Sequence, residues 1–400
     1  MIQQDHPPAI VVVTIDDCGN EFIGCYGEGP PESQPDTPFI DALAASGMRF
    51  ENYYSCPVCT PTRAAMLTGR HPNRYGLGHA LDRGDPRYLP LSEVCVPEVD
   101  PLQRFFHVGK WHLGKHWGGF DPILQGFDLR VGTHGNVNDY FGWKRQVAAS
   151  GYLVETDQSQ YVTQQTTDNA LIVMSFAVRP YVLWLNFHAP HIPYHDPPGY
   201  STDGSILAQY MAMIEYLDGE IGRIVADLDL SRDWLILCAD NGSEEEVAST
   251  GGHKAQVKEG GINVPLIVAG PGVPVGSVTT ALASSVDVHA TVLNLLGVGS
   301  TAEDSRSLVP VFLDPSAVAR DHVYVERFTD DDMDGVNELD FRAARDHKYK
   351  LRWENGSQSF HNLWASRPGE DGPPLDIGNL DDEEQASYDR LHAIVLARGR

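Results

Sequence analysis

The sequence predicts a doubly wound α/β fold, in which a mixed sheet lies between helices and a smaller α+β part follows. Continuous apolar runs such as Ala9–Ile15 are typical of parallel strands that are buried on both faces. These runs alternate with segments whose apolar residues recur at helical spacing. A chain of 400 residues exceeds one simple core. We therefore expect a larger α/β domain over residues 1–300 and a subdomain over residues 301–400.

Within the larger part, helix and strand signals alternate along the chain. Residues 38–47 predict a short helix closed by glycine. Residues 59–67 predict a second helix, with Pro61 in its first turn and Gly69 just beyond its end. Further along, the pattern predicts a helix at 167–177, a strand at 181–187, a helix at 206–228, strands at 234–239 and 264–269, and a helix at 286–296.

The pattern changes after about residue 300. Residues 323–327, 341–345 and 348–353 predict short antiparallel strands, and residues 380–398 contain a terminal helix. This part is the expected C-terminal α+β subdomain.

The charge of the chain limits its partners. Fifty-five acidic residues face 29 basic ones, and the formal net charge is −26. Such a surface repels nucleic acid and anionic membranes, so neither is an expected partner. It also repels anionic substrates, so any anion site must concentrate its own positive charge.

Composition also bears on compartment. No apolar run approaches the roughly 18 residues of a membrane helix. Residues 1–8 lack the basic start and apolar stretch of a signal peptide. The expected location is the cytoplasm as the sequence stands, or the periplasm or exterior if a signal has been trimmed. Six cysteines in a chain of this length do not make a disulfide scaffold. Nothing in the sequence indicates the oligomeric state.

The densest motif is C-T-P-T-R-A-A-M-L-T-G-R over residues 59–70. It opens a predicted helix, so free backbone N–H groups and the positive end of the helix dipole lie beside Cys59. Two plainer interpretations of Cys59 are a buried thiol and a redox pair with Cys56. The string resembles the signature of the type I, formylglycine-dependent sulfatases of the alkaline phosphatase superfamily. The resemblance implies an alkaline-phosphatase-like fold and oxidation of Cys59 to formylglycine by a formylglycine-generating enzyme.

The resemblance also implies how that residue acts. The hydrate of the aldehyde carries two hydroxyl groups on one carbon. One attacks sulfur, and the other later releases sulfate without attack of water on sulfur.

Two acidic pairs follow predicted strands. Asp16 and Asp17 end the first strand, and Asp240 and Asn241 end the strand at 234–239. Open α/β sheets place ligands at the carboxyl ends of their strands. Oxygen ligands of this kind suit Ca²⁺ or Mg²⁺. The resemblance implies a Ca²⁺ site, with Mg²⁺ as the alternative, made by these four residues and Cys59.

Three further strings resemble the family's motifs: G-K-W-H-L-G over 109–114, A-P-H-I-P over 189–193, and K-x4-E-G-G from residue 254. The resemblance implies that Lys110 and Lys254 bind sulfate oxygens and that Arg63 steadies the nucleophile. It also implies that His112 is the base that collapses the sulfated intermediate, and that His191 protonates the leaving alcohol. Histidine suits both proton transfers.

Asn263 departs from the family pattern, which usually has arginine at that place. The departure bears on local packing and on a secondary salt bridge.

The predicted function is hydrolysis of a sulfuric ester, either an aryl sulfate or a carbohydrate sulfate. One alternative uses the same site on phosphonate monoesters or phosphodiesters. Another keeps Cys59 as a thiol in an anion-binding or redox-sensing module without turnover. The leaving group is expected to contact the segments 70–104 and 132–160 and the C-terminal subdomain, which carry no readable specificity code.

Overall fold

The computed structural model describes residues 7–82, 85–114, 122–149, 151–329, 339–365 and 370–398. Its strands are β1 Ala9–Ile15, β2 Met48–Phe50, β3 Tyr53–Tyr54, β4 Arg104–Lys110, β5 Leu129–Thr133, β6 Trp143–Ala149, β7 Tyr152–Gln158, β8 Tyr181–Asn186, β9 Trp234–Ala239, β10 Leu266–Ala269, β11 Ser277–Thr279, β12 Ala283–Ser284, β13 Val323–Thr329, β14 Leu339–Arg345, β15 Tyr349–Glu354 and β16 Ser357–Asn362. Its α-helices are α1 Pro38–Ser46, α2 Cys59–Thr68, α3 Val96–Val99, α4 Val162–Phe176, α5 Ile206–Ala226, α6 Glu259–Ile262, α7 Asp287–Leu295, α8 Val309–Leu313 and α9 Asp382–Ala397.

A large mixed sheet forms the centre of the fold, and in the described residues its strand order is β11-β2-β10-β9-β1-β8-β4-β5-β6-β7. The five strands from β9 to β5 run parallel. Every residue of β1 is buried, as its unbroken apolar sequence predicts. Because parallel strands end at one edge of a sheet, the segments after β1, β4, β8 and β9 meet there.

The C-terminal sheet has the order β13-β14-β15-β16, with antiparallel pairing throughout. Helix α9 packs on it, with Leu391 and Val395 buried against Leu351 and Phe360. Helix α8 instead contributes to the core of the large sheet. The division between residues 300 and 301 stays a prediction.

The predicted fold class is confirmed: a large mixed sheet lies between helices and is followed by an antiparallel C-terminal sheet. Strands β1 and β9 have the predicted bounds. Helix α4 begins at Val162 rather than at residue 167, because its polar first turns hide the helical period. Strands β4 to β7 were not predicted. Polar residues interrupt the apolar runs of β4 and β5, and β6 and β7 are largely polar and partly exposed. Among the described residues, no helix has the length and apolarity to cross a membrane.

Candidate active site

The two acidic pairs come together where β1 and β9 end. Asp17 has a φ of 63°, so the strand's alternation breaks there and successive carboxylates reach the same edge. The backbone N–H of Asp17 donates to Asp240 Oδ1 at 3.2 Å. The side-chain amide of Asn241 donates to Asp17 Oδ1 at 2.7 Å. The structure therefore unites Asp16, Asp17, Asp240 and Asn241, all buried.

Cys59 is the first residue of α2 and is 1% exposed. Its Sγ and one oxygen each of Asp16 and Asp240 lie within 4.8 Å of one another. Thr62 Oγ1 donates to the carbonyls of Cys56 and Val58, which fixes the turn that begins the helix. The helix ends at Thr68, and Gly69 follows it as predicted, with a φ of 67° that caps the helix in the left-handed conformation.

The thiol of Cys59 is a poor nucleophile in its unmodified form. Burial raises its pKa to about 11, although Lys110 and Lys254 act to lower it. Because that pKa lies well above 7, most of this thiol is protonated at neutral pH, whereas the thiolate is the reactive form. All six cysteines lie in the described ranges and are free, so no disulfide joins Cys59 to Cys56.

Two of the predicted cations, Arg63 and Lys110, contact Asp240 and Asp16 and offset their negative charge. Arg63, one helical turn after Cys59, donates Nε at 2.9 Å and Nη2 at 2.7 Å to Asp240 Oδ2. Lys110 closes β4, and its Nζ lies 2.5 Å from Asp16 Oδ2. Burial alone would raise the pKa of Asp16, but Lys110 and its other cationic neighbours hold that pKa well below its usual range. Burial and the charge of Asp16 raise the pKa of Asp240 to about 7.

The third predicted cation contacts the remaining aspartate, Asp17. Lys254 Nζ lies 2.7 Å from Asp17 Oδ2 and 2.8 Å from Glu244 Oε1. Glu244 was not predicted as a site residue. The sequence did contain a signal, because it opens the run Glu244-Glu245-Glu246 three residues after Asn241.

The two predicted histidines lie at the same centre. His191 Nε2 is 3.7 Å from Asp17 Oδ2, and its Nδ1 is 2.7 Å from the carbonyl of Ile192. His112 has a φ of 62°, and its Nε2 lies 2.9 Å from the carbonyl of Leu81. Burial lowers the pKa of both, that of His112 well below its usual range with help from Lys110. Both imidazoles are therefore largely neutral at neutral pH.

The residues fit a hard divalent cation. Asp16 Oδ1 and Asn241 Oδ1 are buried, and neither accepts a hydrogen bond from the described part of the chain. Buried oxygens in that state are costly unless something else binds them. Carboxylate and amide oxygens are the preferred ligands of Ca²⁺ and Mg²⁺.

A second group, Asp17, His191 and Glu244, also lies within 4.8 Å. There Lys254 already supplies the positive charge.

Asn263 lies beside Glu259, which is also contacted by the C-terminal sheet. Its amide lies 3.4 Å from Glu259 Oε2, and it is not a cation. Lys350 Nζ lies 2.9 Å from Glu259 Oε1, and Arg345 Nη1 lies 3.8 Å from Oε2. One residue of β15 and one of β14 thus supply positive charge beside Glu259. Glu259 in turn begins the short helix that follows the Lys254 turn.

A cavity of about 910 Å³ opens beside His112. Among the described residues, its walls are formed by residues 81, 82, 85 and 87, by the segment 133–138 and by the β6–β7 hairpin. It lies among the segments expected to contact a leaving group. Its volume is at the upper end of the range typical of small-molecule sites.

A family model described as Sulfatase matches residues 8–298 of the chain. N-acetylgalactosamine-6-sulfatase of Canis lupus familiaris is 30% identical to this chain over 77% of this chain and 66% of the relative. The chain thus spans just under two thirds of the length of that relative. Arylsulfatase A of Homo sapiens is 31% identical, with 87% of this chain and 75% of its own length covered. The solved structure of Ps i-CgsB in complex with k-i-k-neocarrahexaose matches with a TM-score of 0.82 and 22% identity, and covers 98% of this chain and 94% of that one. At that identity the likeness concerns the fold.

Proposed function

The chain belongs to the sulfatase family, whose members hydrolyse sulfuric esters, and we propose that it releases inorganic sulfate from a saccharide or aryl sulfate. The observation that supports this most directly is the group of three cations around Cys59, of which Arg63 and Lys110 are buried and Lys254 has a side chain that is 11% exposed. Arg63, Lys110 and Lys254 give a strongly acidic protein one place where an anion is attracted. Substrates of relatives, such as the saccharide named in N-acetylgalactosamine-6-sulfatase, favour a sugar sulfate.

The reacting residue in this proposal is formylglycine, made from Cys59 by a formylglycine-generating enzyme. When formed, it supplies one hydroxyl group for attack on sulfur and a second for the later release of sulfate. The C-T-P-T-R motif at residues 59–63 supports conversion. Without conversion the Cys59 thiol, whose pKa burial raises to about 11, would be largely inert at neutral pH.

A divalent cation, Ca²⁺ or Mg²⁺, would be held by Asp16, Asp17, Asp240 and Asn241, with residue 59 as a further ligand. It would supply positive charge beside the reacting oxygen. The two buried oxygens without hydrogen-bond donors among the described residues support this ligand set.

The remaining roles follow from charge and position. Lys110 and Lys254 bind sulfate oxygens, and Arg63 orients residue 59 and stabilises charge that develops in the transition state. His191 protonates the leaving oxygen from its protonated form, which the neighbouring charge of Asp17 favours against the effect of burial. His112, neutral because of its burial, accepts the proton that is lost when sulfate is released.

The test is sulfate release by protein co-expressed with a formylglycine-generating enzyme. Nitrophenyl sulfate and a panel of monosulfated sugars serve as substrates, with a nitrophenyl phosphonate as the competing substrate class. We expect sulfate release to be lost in Cys59→Ala and kept in Cys25→Ala, whose thiol lies outside the centre. The peptide containing residue 59 should be about 18 Da lighter than its cysteine form. Conversion of Cys59 together with turnover of the phosphonate alone would overturn the proposal.

A further inference from the structure

The cavity beside His112 is called the groove. It adjoins the proposed sulfate centre, which consists of residue 59 and the cations Arg63, Lys110 and Lys254. His112 lines it, and His112 Nδ1 is buried with no hydrogen-bond partner among the described residues. Gly135 forms the facing wall, where an added methyl group would lie 3.5 Å from His112 Cδ2. If sulfate is released at this centre, as proposed above, the group that carried the sulfate occupies the groove.

One wall of the groove is a charged face of the β6–β7 hairpin. Lys144 pairs with Asp157, and Gln146 pairs with Glu155, so these side chains share one face of the hairpin. Lys144 Nζ lies 3.1 Å from Glu155 Oε1 and 3.3 Å from Asp157 Oδ1. The single lysine of this wall is thus outnumbered by carboxylates.

A second part of the groove lining repeats this pattern. Arg87 Nη2 lies 2.7 Å from Asp85 Oδ2, and Arg87 Nε lies 2.9 Å from Asp85 Oδ1. Asp82 adds another exposed carboxylate. Across the described lining, two cations face four carboxylates, and each cation is already paired with at least one of them.

Lys254 of the sulfate centre is likewise paired with carboxylates. Lys254 is shared between Asp17 and Glu244, and Glu245 and Glu246 are exposed next to it. Within the described lining of the groove, each cation already has a carboxylate partner, so the groove offers a second anionic group of the substrate no unpaired positive charge. The neutral groove residues Asn136, Asn138 and Gln158 can instead exchange hydrogen bonds with hydroxyl groups.

We propose that the groove is a leaving-group site for an uncharged saccharide, so that the preferred substrate carries one sulfate and no other anionic group. Glu155 and Asp157 determine this specificity by neutralising Lys144. This inference rests on the proposed function and narrows it.

The test uses two biphenyl sulfates that differ only at the far ring, which carries a carboxamide in one and a carboxylate in the other. The change is remote from the sulfate, so the reactivity of the ester is nearly the same. In a low-salt buffer we expect kcat/KM to favour the carboxamide about fivefold, mainly through KM. This is the effect of two net charges about 8 Å away in a medium like water. At about 1 M salt the Debye length falls to about 3 Å, and the preference should disappear.

The variant Glu155→Gln/Asp157→Asn should bring the ratio of the two kcat/KM values close to one. The matched control is Glu383→Gln/Asp389→Asn, which makes the same change in net charge on exposed positions of α9. The control should keep the wild-type ratio. A wild-type ratio of one, or an equal change in the control, overturns this inference and leaves the proposed function intact. Absence of sulfate release from both compounds and from nitrophenyl sulfate overturns the proposed function itself.

Discussion

Replacement of Lys350 by methionine should destabilise the protein strongly, although the residue lies outside the catalytic centre. The Lys350 side chain is 0% exposed, and its Nζ lies 2.9 Å from Glu259 and 2.7 Å from Asp371. Methionine keeps most of the packing volume but leaves two buried carboxylates without their shared cation. Removal of one partner of a buried ion pair costs about 3–5 kcal/mol.

The neighbouring arginines place the expected value at the lower end of that range. Arg345 lies 3.8 Å from Glu259, and Arg352 Nε lies 3.3 Å from Asp371 Oδ2, so each carboxylate keeps one cation. We therefore expect a loss of about 3 kcal/mol in the free energy of unfolding. Urea denaturation measures it as a lower midpoint at an unchanged slope.

Lys348→Met is the matched control, two residues earlier in the chain. Lys348 makes a similar contact, 2.7 Å from Glu383, but the two side chains are 24% and 64% exposed. An exposed pair contributes at most about 1 kcal/mol. Equal midpoint shifts in the two variants, or a shift below about 1 kcal/mol for Lys350→Met, would refute the argument from burial.

Three further outcomes are expected. Arg63→Lys should lower kcat on nitrophenyl sulfate by about 10²-fold or more, because lysine cannot reproduce the two-nitrogen contact with Asp240; a loss under threefold would contradict this. Ca²⁺ at 100 times its Kd should add about 2.7 kcal/mol to the free energy of unfolding, and Asn241→Ala should reduce this gain. Thermal melts with the ion and with a chelator measure the gain, and a melting temperature that does not change with the ion would argue against the site. Burial raises the pKa of Glu326 from 4.5 to about 7. The protonated Glu326 side chain therefore contributes fully to the free energy of unfolding below pH 4.5, and this contribution, up to about 3 kcal/mol, is lost as the pH rises through 7. Glu326→Gln should lack this part of the loss when urea midpoints are compared at pH 5 and pH 8, and identical pH profiles would count against it.

The sequence could predict the centre of the fold because its signals there are local. An unbroken apolar run followed by Asp16 and Asp17 indicates both a buried strand and the edge at which it ends. The same holds for the strand before Asp240. The carboxylates that follow these two strands therefore meet at one edge, and the other predicted site residues lie in the same region. The roles assigned to these residues stay proposals.

Other features could not be predicted, because they depend on contacts between distant segments. Lys350 reaches Glu259 across 91 positions of the chain, and neither residue carries a local sign of the other. The β6–β7 hairpin is largely polar and partly exposed, so its pattern of apolar residues is weak. Glu244 is one of three successive glutamates, a run that is more often simply solvated.

The position of the β6–β7 hairpin at the end of the large sheet has an evolutionary consequence. The proposed sulfate centre is built on the parallel strands in the middle, whereas one wall of the groove is a terminal hairpin whose partner strand, among the described residues, is β5. A lineage could therefore exchange this hairpin and acquire a new sugar preference while the inherited chemistry stays untouched. Laboratory grafting of residues 143–158 from a relative is the corresponding route to altered selectivity.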